Sequence, residues 1–139
     1  MQRMKEKILE LESYLNELRS IIPKTFEEYT GSIKTKRACE RLLQISVECV
    51  MDILFLMAKE VKTGIPFDEY NLIEELNRKK AVSNEMTSVL KGMRGFRNIL
   101  VHSYGKINDE LVFEYLKRKI DDFKRFEEEV KRFIATKKE

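Results

Sequence analysis

KTKRACERLLQISVECVMDILFLMAKEVK, residues 34–62, is the stretch that decides the fold. Its apolar residues recur at three- and four-residue steps, the spacing that returns a side chain to one side of an α-helix at each turn. Ala38, Leu42, Ile45, Cys49, Ile53 and Leu56 define one face, and Leu43, Val50, Leu54 and Met57 widen it. A helix apolar over so broad an arc is wrapped on more than one side, which predicts a central position among other helices.

The same period continues outward in both directions. Upstream, Met4, Ile8, Leu11, Leu15, Leu18 and Ile22 predict a helix over 4–22 that Pro23 stops. Thr25 and Glu28 have capping-box spacing and open a short helical turn that ends at Gly31. Downstream, Thr63-Gly64-Ile65-Pro66 breaks the pattern, and Asp68 caps a short helix to about Lys79 that buries Leu72, Ile73 and Leu76. Ser83 caps the next helix, which carries Met86, Val89, Leu90, Met93, Phe96 and Leu100. Gly105 to Asn108 reads as a turn, and a last helix runs from about Asp109 to Ala135 with Val112, Leu116, Ile120, Phe123, Val130 and Phe133 inward. No segment alternates as a strand would. The expected fold is therefore all-α, an antiparallel up-and-down bundle of four main helices plus one or two short ones.

Composition agrees with that reading. The 139 residues are 42% hydrophobic and 37% charged, the balance of one compact helical domain over 1–139 with a heavily solvated surface. Much of the charge is Lys and Glu, which suits a thermophilic source and equally any exposed helix. A net charge of +3 and a pI near 8.8 are mildly basic and do not by themselves indicate nucleic acid. Lys34, Lys36 and Arg37, and Arg78, Lys79 and Lys80, form small basic clusters that read first as solvated faces. Cys39 and Cys49 lie on one helix about 15 Å apart along its axis, beyond disulfide reach, and are expected as reduced core residues. There is no zinc spacing, phosphate-binding glycine loop, dinucleotide fingerprint or nucleophile elbow, so no metal and no cofactor is expected. No secretory signal is visible, and the longest apolar run, Ile53 to Ala58, is too short to cross a bilayer. A cytoplasmic location with no membrane partner is the default.

Chemistry concentrates in Arg97-Asn98-Ile99-Leu100-Val101-His102-Ser103-Tyr104, which holds the only histidine. Imidazole both takes and gives a proton near neutrality, and a guanidinium offers a forked cation to a pair of phosphate oxygens. Helical projection puts Arg97 in one apolar sector with Met86, Leu90, Met93 and Leu100. A charge there must meet a carboxylate, a phosphate or a water-filled groove. Arg94, Asn98 and His102 form a polar row on a neighbouring face. Arg97 and His102 diverge by about 140° around an ideal axis, so a shared site needs a bent helix end or a second copy of the chain. Gly92 and Gly95 would allow a close helix approach.

Arg97, four intervening residues, His102, one residue and Tyr104, within Gly95-Phe96-Arg97-Asn98-Ile99-Leu100-Val101-His102, resemble the signature of HEPN-domain proteins of the HepT toxin group. Arg41 and Glu48, seven residues apart on the long helix, resemble a second pattern of that family and share one face. The resemblance implies a homodimer with the motif helices lining a cleft, acting as a metal-independent ribonuclease. Its chemistry would be attack of a ribose 2′-hydroxyl on the adjacent phosphorus, leaving a cyclic phosphate. His102 would serve as general base, with the His102 of a second copy, or Tyr104 or water, completing proton transfer. Arg97 would stabilise charge on the phosphoryl oxygens, with Asn98, Glu48 and Arg41 in support. The resemblance further implies an MntA-like nucleotidyltransferase antitoxin that adds AMP to Tyr104, placing bulk and negative charge beside the site.

Plainer readings stand beside these. His102 suits a helix end through the dipole alone, Arg97 suits an ion pair with Glu48 or another acid, Asn98 suits backbone capping, and Tyr104 suits a core edge. A non-catalytic helical subunit that binds a nucleotidyltransferase, or is only its modification substrate, is the alternative function.

Overall fold

A computed structural model describes residues 1–102 and 106–137. These residues fold into α1 (Gln2–Ile21), α2 (Phe26–Thr30), α3 (Ile33–Val61), α4 (Glu69–Arg78), α5 (Asn84–His102), α6 (Asp109–Arg118) and α7 (Ile120–Lys137). Among the described residues there is no strand. Four long helices, α1, α3, α5 and α7, make the bundle, and three short ones rather than one or two connect and cover it.

The helix starts follow the predicted caps. Thr25 accepts from the Glu28 N–H at 3.1 Å, and Asp68 from the Asn71 N–H at 2.7 Å. Ser83 accepts from the Met86 N–H at 3.1 Å. Each satisfies a donor that the first helical turn leaves open. α3 ends where Lys62 turns left-handed at φ 55°, and Gly64 follows at φ 86°.

Ion pairs fix the directions. Lys7 meets Asp52 at 3.1 Å and the amino terminus meets Glu60 at 3.7 Å, so α1 runs antiparallel to α3. Lys131 meets Glu12 at 3.0 Å and Arg19 meets Asp121 at 3.6 Å, so α7 runs antiparallel to α1. Lys91 pairs with Glu74 at 3.2 Å and Asn77 donates to Asn84 at 2.9 Å, which lays α4 antiparallel along α5.

α3 is central, as its pattern predicts, with Cys49 and Ile53 of the predicted face buried alongside the residues that widen it. Cys39, Leu43, Val47, Val50, Leu54 and Met57 are buried, whereas Leu42, Ile45 and Leu56 lie at the margin and Ala38 is exposed. Glu40 and Ser46 are buried with them, two polar residues that a count of apolar positions passes over.

The predicted final helix is two helices. At Lys119 (φ −110°, ψ −5°) the Asp122 N–H turns back onto the Lys119 carbonyl at 3.0 Å, and α7 begins with Asp121 and Asp122 in its first turn. Carboxylates are favoured at that end of a helix dipole. The bend lets Tyr115 of α6 stack on Phe96 of α5, with ring centroids 4.1 Å apart, while Phe123 and Phe126 of α7 enter the core.

Cys39 and Cys49 are free, buried thiols, as expected. Among the described residues no helix is long and apolar enough to cross a membrane.

Candidate functional site at the α4–α5 crossing

α5 is anchored at its start and carries the candidate residues Arg97, Asn98 and His102 toward its end. Besides capping the helix, Ser83 donates its backbone N–H and hydroxyl to the Glu129 carboxylate of α7, at 2.6 and 3.0 Å. From that fixed end the helix continues unbroken to His102. Met86, Leu90, Met93 and Leu100 are buried along the same sector as Arg97, so the predicted conflict between charge and surroundings is real.

The conflict is resolved by Glu69. Arg97 Nη2 donates to Glu69 Oε1 at 2.7 Å and Nη1 to Oε2 at 3.4 Å, a two-pronged ion pair. Arg94, one turn earlier, donates Nε to the same Oε1 at 3.1 Å. Its guanidinium lies over the Tyr70 ring, 4.3 Å from the centroid. The Arg97, Glu69 and Arg94 side chains are only 18, 20 and 22% exposed, so solvent screens these contacts weakly. Burial works against the Arg94 charge, but the Tyr70 hydroxyl and the Glu69 carboxylate outweigh it and raise its pKa above the usual arginine value. One carboxylate between two guanidiniums leaves the cluster with a net charge of about +1, an environment that still attracts an anion.

α4 supplies this carboxylate with little freedom. Asp68 caps the helix, Asn71 Oδ1 accepts the Phe67 N–H at 3.1 Å, and Glu69 follows as the first helical residue. A carboxylate there also faces the positive end of the helix dipole.

The remaining sequence-derived candidates divide. Asn98 is half-buried on the last turns of α5, and His102 is the final helical residue. The His102 side chain and Tyr104 lie outside the described residues. Arg41 is exposed on α3, and Glu48, half-buried on the same helix, accepts from Gln44 at 3.4 Å. Glu69, and not Glu48, is the acid that meets Arg97. Sequence reasoning missed Glu69, although two arginines one turn apart on α5 and an acid directly after the Asp68 cap were its available signals. Gly95 faces the Tyr70 hydroxyl, 3.8 Å from where a Cβ would sit, and at Gly92 a Cβ would meet nothing within 4 Å. Neither glycine is required for packing inside the chain. Among the described residues no three His, Cys, Asp or Glu side chains converge as metal ligands would.

An all-α bundle of long helices with short connecting ones is also the fold of a solved HEPN toxin. The HEPN toxin of Shewanella oneidensis, solved tri-AMPylated in complex with its MNT antitoxin, superposes with a TM-score of 0.84 over 92% of this chain and 96% of that one, at 21% identity. The chain belongs to the HepT-like ribonuclease family, whose model, described as ribonuclease HepT-like, matches residues 11–130. It is 23% identical over 126 residues to the tRNA nuclease HepT of Aphanizomenon flos-aquae, covering 91% of this chain and 86% of the relative. It is 28% identical over 89 residues to the mRNA nuclease HepT of Shewanella oneidensis, covering 64% of this chain and 67% of that protein.

Proposed function

We propose that this chain is the toxin ribonuclease of a HEPN and minimal-nucleotidyltransferase pair, a single domain over residues 1–139 that cuts RNA without a metal in the cytoplasm. The observation that carries the reading is Arg97: a guanidinium held in a half-buried, net positive cluster on the helix that ends at His102, in a chain whose family match spans residues 11–130. Arg97 binds the scissile phosphate and stabilises the charge that develops on its non-bridging oxygens. His102 removes the proton of the 2′-hydroxyl as that oxygen attacks phosphorus, and the 5′-oxygen leaves with a proton supplied by a second acid. The new bond closes a 2′,3′-cyclic phosphate.

α5 runs helically through His102, so Arg97 and His102 diverge by about 140° on one chain. A homodimer with the two α5 ends in one cleft brings an arginine from one copy toward the histidine of the other, and makes the second His102 the acid. Asn98 lines that cleft, and Glu48 and Arg41 support it from α3. Tyr104, two residues beyond His102, is the site where an MntA-like nucleotidyltransferase antitoxin adds AMP; phosphate charge there repels RNA and fills the cleft.

Two substitutions test this. Purified protein is expected to degrade RNA in the presence of EDTA, and Arg97→Ala and His102→Ala each to lose on the order of 10²-fold or more in rate while keeping the wild-type circular dichroism spectrum. Cleavage at the wild-type rate in both variants rules the mechanism out. Co-expression with the nucleotidyltransferase is expected to add AMP masses to the wild-type chain and none to Tyr104→Phe.

A further inference from the structure

We infer that Glu69 is the positioning residue for Arg97, and that it sets the rate of RNA cleavage by fixing the guanidinium rather than by touching RNA. The inference rests on the ribonuclease function proposed above.

An unpinned arginine side chain keeps its rotamer freedom, which a substrate phosphate would have to overcome while also aligning the fork. Here the alignment is made in advance. The Glu69 carboxylate takes one N–H from each terminal nitrogen of Arg97, at 2.7 and 3.4 Å, and so fixes the plane of the guanidinium as well as its place. A guanidinium has five N–H donors, which leaves three for phosphate oxygens.

Glu69 is in turn held by its own backbone and by Arg94. Its backbone starts α4 directly after the Asp68 cap, its Oε1 also accepts from Arg94 at 3.1 Å, and Arg94 is itself seated on the Tyr70 ring. Arg94 is thus a strut that keeps the carboxylate in register, and its positive charge compensates the one that Glu69 neutralises. The arrangement is rigid and half-buried, yet still net positive toward an anion.

This predicts a separation of catalysis from binding. Glu69→Gln raises the net charge of the cluster by one, so affinity for RNA is held or tightened. The guanidinium loses its charged, two-pronged partner, and misplacement of a catalytic group by as little as about 1 Å costs on the order of 10²-fold in rate. The experiment measures kcat and KM of the purified protein on a defined RNA oligonucleotide, and Kd for the same oligonucleotide carrying 2′-O-methyl groups. Expected for Glu69→Gln are a kcat lower by 10- to 100-fold, KM and Kd equal to or below wild type, and a retained cooperative melt. A wild-type kcat overturns the inference, as does an affinity for RNA that falls in step with kcat.

Should Glu69→Gln fail to fold, Glu69→Asp keeps the charge and shortens the reach. It is expected to give a wild-type Kd with an intermediate kcat, and full activity in that variant also overturns the inference. Glu69 variants at wild-type rate, with Arg97→Ala inactive, remove the positioning role and leave the ribonuclease standing. A wild-type protein that cuts no RNA removes both.

Discussion

The Cys39 and Cys49 thiols are buried, and burial pushes their pKa values up to about 11 and about 12. Cys49 also donates its thiol to the Lys7 carbonyl at 3.3 Å, a bond the thiolate cannot make. At pH 8 the reactive fraction of either is on the order of 10⁻³ or less. Neither thiol is expected to react with an aromatic disulfide reagent until the protein unfolds, and two equivalents appear on adding denaturant. Rapid labelling of the native protein contradicts this. The same physics of burial explains which parts of the site were legible in the sequence. A charge on the apolar sector of α5 announced that Arg97 needs a partner, because an unpaired buried guanidinium is too costly to keep. The identity of the partner was not legible: Glu48 and Glu69 are both acids at plausible distances in sequence, and only the antiparallel packing of α4 along α5 selects Glu69.

Elements report their boundaries through local chemistry. The caps at Thr25, Asp68 and Ser83, and the stop at Pro23, were readable because each acts within one turn of its own residue. The division of α6 from α7 at Lys119 was not, since no glycine or proline marks it. Ser83 does two things at once, capping α5 and tying it to Glu129 of α7. Ser83→Ala is therefore expected to cost about 1 to 2 kcal/mol, more than a cap with no tertiary partner, as read by urea denaturation. Because Ser83 and Arg97 sit at opposite ends of α5, the same variant is expected to keep the wild-type kcat. A loss of activity out of proportion to the loss of stability would tie the α5 start to the chemistry.

Across the whole molecule, α1 and α7 are joined through a carboxylate that is poorly suited to its place. Burial raises the Glu127 pKa to about 7, and the nearby Glu12 charge adds to the shift, while Lys131 and Arg19 oppose it. The folded state therefore holds a proton on Glu127 that the unfolded state, with an ordinary value near 4.5, has released. Stability contributed by this group falls as pH rises from about 4.5 to about 7, and the cost is fully present above that window. Glu127→Gln is expected to be more stable than wild type at pH 8, by on the order of 1 to 3 kcal/mol, and equal to it near pH 4. Equal stability of the two proteins at pH 8 would mean that Glu127 is solvated in solution. The bundle itself was legible because hydrophobic period sets the order of the long helices, and residue spacing carried the resemblance to HepT toxins. What spacing does not carry is the path of one helix across another, and that is where Glu69 came from.

The proposed mechanism is metal-free transesterification of RNA by Arg97 and His102. It is tested most directly by mass spectrometry of the ends left on a defined RNA oligonucleotide incubated with the purified protein in EDTA. The account predicts 2′,3′-cyclic phosphate ends from the wild-type protein and none from Arg97→Ala; intact RNA, or linear 5′-phosphate ends produced only when a divalent metal is added, would contradict it.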